Sequence, residues 1–455
     1  MLAALAYLFS FLIGVAVTLS GRPLIGLLVY LQTFYVYSPG YWWGRKLPNL
    51  RWSLVAAIVT FLAVKIKDSK SSNSAEPEAG DLIAKPGFFS LPENTLYLFF
   101  VLWIWLQSLW AIDPVSHKVY AVMVSKFLLL LYLIHKILID RKSIFVFVIA
   151  NTLGCGYFGW YADANFEGKG RLEQVVPTPG LSDANGFCLH MAPVLVISSF
   201  VLLCDFTKKK YWLVIPIVMI LNGIFLAQSR GALLGMAVAS LLVFAFRPYR
   251  LRKQIYFYML LGAVAAVNLI PADFLDRIYR AADAGEAGRD ESAESRIFIV
   301  IAQWEMFKTS PLLGYGHKGT RALSPLYLEG WLSTEQGGEA RRASHNMLMS
   351  LLVDHSIVGT TVYLTIIFIY FKRLLFMRKR LLLMEHGNLS ILYIAGTAAL
   401  LVLCVASMTS NSLRHETGIL LFGMLTAIFC LIKPKLASPI VKGSTPTPGS
   451  RNQAE

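Results

Sequence analysis

The chain has 455 residues, 56% hydrophobic and 15% charged, with a mean hydropathy of +0.57 and a formal net charge of +15. This composition excludes an ordinary water-soluble domain, because several uninterrupted apolar stretches reach the roughly 18 residues that span about 30 Å of hydrocarbon as a helix. They lack the period-2 alternation of barrel strands, so the chain reads as an all-α polytopic membrane protein.

In chain order, the predicted spans fall at 2–19, 22–37, 52–67, 95–112, 119–139, 143–161, 185–204, 211–228, 231–246, 254–270, 346–371, 390–408 and 416–432. The first stretch lacks a basic flank and a small-residue cleavage site, and reads as a retained helix. SPGYWWGRKLPNLRW, rich in aromatics and prolines, reads as an interfacial piece. Treating one early segment as interfacial reduces thirteen spans to about twelve and places both termini on the cytoplasmic side.

The membrane helices of 1–67 lead into a Ser/Glu/Pro/Gly linker over 68–94, then transmembrane helices over 95–270. A polar segment over 271–345 follows, too long for a structureless loop, with a helix expected at 294–309 and stopped by Pro311, Gly314 and Gly316. Helices resume over 346–432, and 433–455 is a low-complexity cytoplasmic tail.

Basic residues gather in short loops: Lys208, Lys209 and Lys210; Arg247, Arg250, Arg252 and Lys253; Lys372, Arg373, Arg378, Lys379 and Arg380; Lys433 and Lys435. This is the positive-inside pattern, and it reads as topology and contact with inner-membrane lipids, not as a nucleic-acid surface. It places 163–184, 229–230, 271–345 and 409–415 together on the external face. Cys155, Cys188, Cys204, Cys404 and Cys430 sit singly in or beside apolar runs and read as small hydrophobes.

Several external residues carry chemistry. Arg230, in the tight Ser229-Arg230-Gly231 turn, is a snorkelling arginine or an anion-binding one. Arg296 opens the surface helix, with Glu291 and Glu294 as local partners. His345 stands at the entrance to a span, preceded by Arg341 and Arg342, which the positive-inside rule does not predict there. Asn346 follows it, and Asp183 and Asn185 precede another span, first as helix caps; Arg341, Arg342, Asn346 and Asp183 are candidate substrate contacts. Arginine's planar fork suits phosphate oxygens, and no acidic cluster of metal-site type is visible on this face. That inventory permits a diphosphate held by guanidinium groups, with neither metal nor cofactor. Lys126 and His135, inside an apolar span, are the residues that would suit a transporter instead. His355 reads as packing.

The stretches QSRGALLG, ESRIFIVIAQWEMFKTSPLLGYG and SHNMLMSLLVDHSIVG share their order and spacing with a family. Over roughly 225–360 the chain resembles the O-antigen ligase and polymerase superfamily, and its N-terminal half, including SDANGF before a span, looks like a ligase-like subgroup. The resemblance implies a fold of the all-helical membrane glycosyltransferase type, with a large periplasmic loop whose surface helices cap the site. It also implies a multi-pass enzyme of the bacterial inner membrane that takes a glycan from undecaprenyl diphosphate and transfers it to a sugar hydroxyl of lipid A-core. A growing glycan chain or a protein hydroxyl are the alternative acceptors within the same superfamily. By the same resemblance Arg230 and Arg296 would bind the diphosphate, and His345 would act as general base on the acceptor hydroxyl or orient it.

Overall fold

The computed structural model of the chain describes residues 2–73, 86–168, 172, 176–205, 207–247, 251–269, 291–328, 341–383 and 387–437. Much of the linker, the stretches 270–290 and 329–340 of the polar loop, and the C-terminal tail lie outside the described residues.

Among the described residues the secondary structure is entirely helical. The long helices are α1 (Leu2–Leu19), α2 (Pro23–Tyr35), α3 (Trp52–Asn73), α4 (Pro92–Gln107), α5 (Pro114–Ile137), α6 (Arg141–Ala164), α7 (Ala184–Val201), α8 (Val214–Ala227), α9 (Arg230–Phe246) and α10 (Arg252–Leu269). After them come α11 (Glu291–Thr309), the short α12 (Gly319–Tyr327), α13 (Met347–Leu383), α14 (Asn388–Ala406) and α15 (Glu416–Ala437). Each of the thirteen apolar stretches folds as a helix, and α11 matches the helix expected before Pro311. Eight helices among the described residues are long and apolar enough to cross a membrane; α2, α4 and α9, at 13, 16 and 17 residues, fall short of that length.

Burial sorts the helices into a centre and a periphery. In α7, α14 and α15, 78% of the apolar window is buried, against 22% in α1, whose Leu2, Leu5 and Phe9 are exposed. Small residues let central helices close up: a Cβ on Gly159 of α6 would meet the Met219 carbonyl of α8 at 2.1 Å. All five cysteines are free, and four are fully buried, as small hydrophobes would be.

The N-terminal third differs from the twelve-span expectation. SPGYWWGRK forms two short 3-10 turns whose Tyr41 and Trp43 stack on one another (5.4 Å), with Trp43 packed on Tyr7 of α1 (5.5 Å). Gly40 abuts Pro177, beyond the C-terminal end of α6. The turn therefore lies at the end where α2 and α6 finish and where α1 begins. Alternation through the bundle then puts the start of α1 and the finish of α15 at opposite ends. Aromatic stacking holds the turn, with Lys46 over the Trp42 ring (5.9 Å).

Candidate functional site

α7, α9, α13 and α15 all begin at that same end, and hydrogen bonds lash their first turns together. Ser229 Oγ donates to Asn185 Oδ1 (3.1 Å), Asn411 Nδ2 donates to Ser350 Oγ (2.8 Å), and the Met347 N–H donates to the Ser407 carbonyl (2.8 Å). Gly231 packs so tightly that a Cβ there would lie 2.0 Å from Thr409 Oγ1. The four segments expected on one face thus meet wherever they are described. Helix N-termini carry partial positive charge and unpaired N–H groups, but α2, α6, α8 and α14 finish at this same end, so any preference for an anion rests on the side chains.

Between these termini lies a cavity of about 910 Å³. Its walls include Asp183 and Asn185 at the start of α7, His317 and Lys318 before α12, Arg321 on α12, Ser344 and His345 before α13, and Arg414, His415 and Glu416 at α15. A side cavity of about 420 Å³ shares Met123, Phe127 and Glu416 with it and is lined by Tyr7, Tyr30, Trp52, Leu130 and Lys126. Lys126, which seemed to float in an apolar span, faces that space. His135 is instead buried at the far end of α5, with its Nε2 against the Pro86 carbonyl (3.2 Å).

The expected site residues divide. His345 lies on the cavity wall, and burial lowers its pKa from the ordinary value near 6.5. The Arg296 guanidinium adds to that shift, Asp183 opposes it, and Arg342 adds again. Arg296 and Arg342 thus act on His345 from just outside the cavity walls. Arg230 is exposed at the first turn of α9, one residue from the Ser229–Asn185 hydrogen bond. Asp183 keeps both readings: it caps α7, accepting from the N–H groups of Asn185 (3.1 Å) and Gly186 (2.9 Å), and it faces the cavity. Asn346 is a cap, since its Oδ1 accepts from the Met349 N–H (3.1 Å). Arg341 and Arg342 are exposed, and the Arg342 N–H is held by Ser324 Oγ (2.9 Å).

Residues absent from the sequence reading also converge here. Arg414, Lys318 and Arg321 bring three cations to the cavity wall from two separate segments. Burial, then Arg414 and Lys318, push His317 down to about 3. Burial also pushes His415 down to about 4 against the pull of Asp183. Both rings are therefore neutral near pH 7. Asp183, Asp354 and Glu416, from α7, α13 and α15, bring three carboxylates to the walls of the same cavity.

The Pro-Leu-Leu-Gly-Tyr-Gly stretch has a structural job. Helix α13 is broken at Ser356, whose φ of 64° and ψ of −178° lie outside helical space. The break frees two carbonyls and an N–H, and the 311–316 backbone takes all three. The Tyr315 N–H donates to the Val353 carbonyl (3.0 Å), the Gly316 N–H to the Asp354 carbonyl (2.8 Å), and the Ile357 N–H to the Pro311 carbonyl (3.0 Å). Gly314 and Gly316 have φ of 68° and 76°, and a Cβ on Gly314 would sit 2.7 Å from the Asp354 carbonyl. Irregular backbone at this depth is satisfied by protein, as a low-dielectric setting demands.

Residues 215–364, which hold Arg230, Arg296, the 311–316 turn and His345, match the family model described as O-antigen ligase. The match covers 150 of the 455 residues. No curated protein matches the chain. The O-antigen ligase segment supplies one wall of the cavity, while Asp183, Arg414 and Glu416 reach it from outside the matched range.

Proposed function

We propose that the chain is a glycosyltransferase that moves a glycan from undecaprenyl diphosphate to a sugar hydroxyl of lipid A-core at the periplasmic face of the bacterial inner membrane. The observation that carries this reading is His345 on the wall of a polar cavity, beside cations and among helix N-termini, within the O-antigen ligase segment. In the reaction the acceptor O–H attacks the anomeric carbon, the bond from that carbon to the diphosphate oxygen breaks, and His345 takes the hydroxyl proton. Undecaprenyl diphosphate leaves with the bonding electrons, and a single displacement inverts the anomeric configuration.

The leaving group is already activated, so stabilising its charge counts for more than protonating it. Arg230 and Arg296 hold the diphosphate at the rim, and Arg414 and Lys318 extend that field into the cavity. No divalent metal is needed in this scheme. The side cavity with its aromatic and leucine lining and Lys126 suits the first isoprene units of the carrier.

Transfer is tested with purified protein in detergent, undecaprenyl diphosphate-linked glycan and lipid A-core, without added Mg²⁺ or Mn²⁺, following product by gel. H345A is expected to lose about 10²- to 10⁴-fold in rate; a wild-type rate in H345A would sink the site. Glycan chain extension without lipid A-core would make the protein a polymerase, and transfer to a protein hydroxyl an O-oligosaccharyltransferase. A transporter or flippase is the more distant reading, and the break at Ser356 is the feature that favours it. That break is filled by the 311–316 backbone, which argues for the enzyme.

A further inference from the structure

Beside the transfer site, His317, Asp354 and His355 each offer one ligating atom, and these atoms lie within 4.8 Å of one another. His355 is fully buried, and its Nε2 has no hydrogen-bond partner. Gln107 fixes the tautomer. Its Nε2 donates to the Leu313 (2.7 Å) and Asp354 (3.0 Å) carbonyls, so its Oε1 must be the acceptor facing His355 Nδ1 (2.8 Å). The proton is therefore on Nδ1, and a bare lone pair on Nε2 is aimed into the cluster.

The other two donors are also held in place. The His317 ring stacks on Tyr120 (4.1 Å, 10° between planes), and Tyr120 stacks in turn against His355 (5.3 Å, 11°). The His317 N–H is tied to His117 Nδ1 (2.9 Å), and His117 Nε2 donates to the Ile104 carbonyl (2.7 Å). Asp354 accepts from the Lys318 N–H (3.1 Å) and the Thr320 N–H (3.3 Å), with its Oδ2 3.8 Å from His317 Nδ1. Such outer partners orient metal ligands elsewhere, and an unpartnered buried imidazole nitrogen needs a positive or donating group opposite it.

We propose that His317, Asp354 and His355 bind one divalent transition metal of the zinc class, which ties the 311–318 turn to helix α13 at its break. Two imidazoles and a carboxylate are a borderline-soft donor set that suits zinc. His317 and Asp354 line the main cavity, which gives the ion its path and leaves a fourth position open to water. Lys318 turns its ammonium to Ser116 Oγ (3.0 Å), away from the cluster. Arg414 and Lys318 lie near enough to His317 to repel a dication, so occupancy is read after loading. This site does not depend on the transfer reaction proposed above.

For the test, full-length protein carrying a histidine-free affinity tag is purified in detergent, loaded with Zn²⁺ and desalted. Its zinc is then measured by mass spectrometry. A parallel sample is loaded with Co²⁺ and followed by its visible spectrum. Wild type is expected to retain about one zinc per chain, to show a low-symmetry Co²⁺ spectrum and to unfold at a higher temperature with zinc than without. H317A, D354N and H355Q are expected to lower retained zinc at least about tenfold, whereas H135Q, at the far end of α5, keeps it. Should H355Q not fold, H317A on the cavity wall decides the matter. Zinc retention in wild type no greater than in H317A and D354N, with no Co²⁺ spectrum, overturns the site.

Discussion

At the scale of single residues, His345 makes the sharpest claim. Burial and the neighbouring guanidinium groups lower its pKa below 6.5, so it is neutral and able to accept a proton at pH 7. Transfer should then be flat above neutrality and fall as pH drops through a pKa under 6.5. Arg342 is one of the groups that lower that pKa, so R342Q should move the acid limb of kcat/KM to higher pH without abolishing transfer. An unmoved limb would mean that the limb reports another group. Arg414 makes a second claim, because it lines the cavity from outside the matched segment. Losing one charge-assisted contact to the diphosphate typically removes about 1.5–3 kcal/mol, so R414A should lower kcat/KM for the donor about 10- to 100-fold. An unchanged value in steady-state kinetics with a titrated donor would remove Arg414 from the anion site. His345, which lines the cavity, was legible because it sits in a short motif at a helix boundary, as do Arg230 and Arg296, which do not line it. Arg414, Lys318 and Asp354 could not, because only the packing of distant segments makes them neighbours. His355 is buried, as a packing residue would be, and its orphan nitrogen becomes visible only once Gln107 is placed.

At the scale of elements, hydropathy foretold each apolar helix, since burial in lipid or core demands the same residues either way. The break in α13 left no such trace. Residues 347–356 contain neither Pro nor Gly, and nothing in their own pattern stops a helix. What breaks it is tertiary, namely the 311–316 turn competing for its backbone groups, and the turn's glycines signalled only that something ended there. The strain is local and testable. Ser356 occupies a region of backbone space normally left to glycine, at about 1–3 kcal/mol. S356G should therefore raise the thermal midpoint in detergent, even though it removes the hydroxyl that accepts the Val358 N–H (3.2 Å). Conversely, G314A imposes a Cβ 2.7 Å from the Asp354 carbonyl and 2.8 Å from the Ser356 nitrogen, on a residue with φ of 68°. It should lower stability by about 2–4 kcal/mol. If S356G lowers the midpoint and G314A leaves it unchanged, the turn is not what holds the break open.

At the scale of the whole molecule, the two ends of the bundle are built differently. At the cavity end the starts of α7, α9, α13 and α15 meet around open space, and toward the opposite end a buried ion pair ties helices together. Arg373, which the sequence reading counted among topology-setting charges, reaches Glu93 across the bundle with two hydrogen bonds of 2.6 Å, Nη1 to Oε1 and Nη2 to Oε2. Their side chains are 11% and 1% exposed, Thr426 Oγ1 donates to Glu93 Oε1 (3.0 Å), and the guanidinium lies over the Phe429 ring (3.9 Å). One bidentate pair thus fastens α4, α13 and α15 far from the cavity, where the lower half of α13 would otherwise lever on its own break. Removing one partner leaves the other charge buried and unpaired, a loss of about 3–5 kcal/mol, while replacing both with apolar groups of similar size is often close to neutral. E93M and R373M should therefore each lower the thermal midpoint sharply, and the E93M/R373M double variant should recover much of the loss. A double-mutant cycle on detergent-solubilised protein reads the difference. Additive single losses would show that the pair does not act as a unit. A recovered midpoint with transfer intact would show that this end supplies stiffness and takes no part in the chemistry.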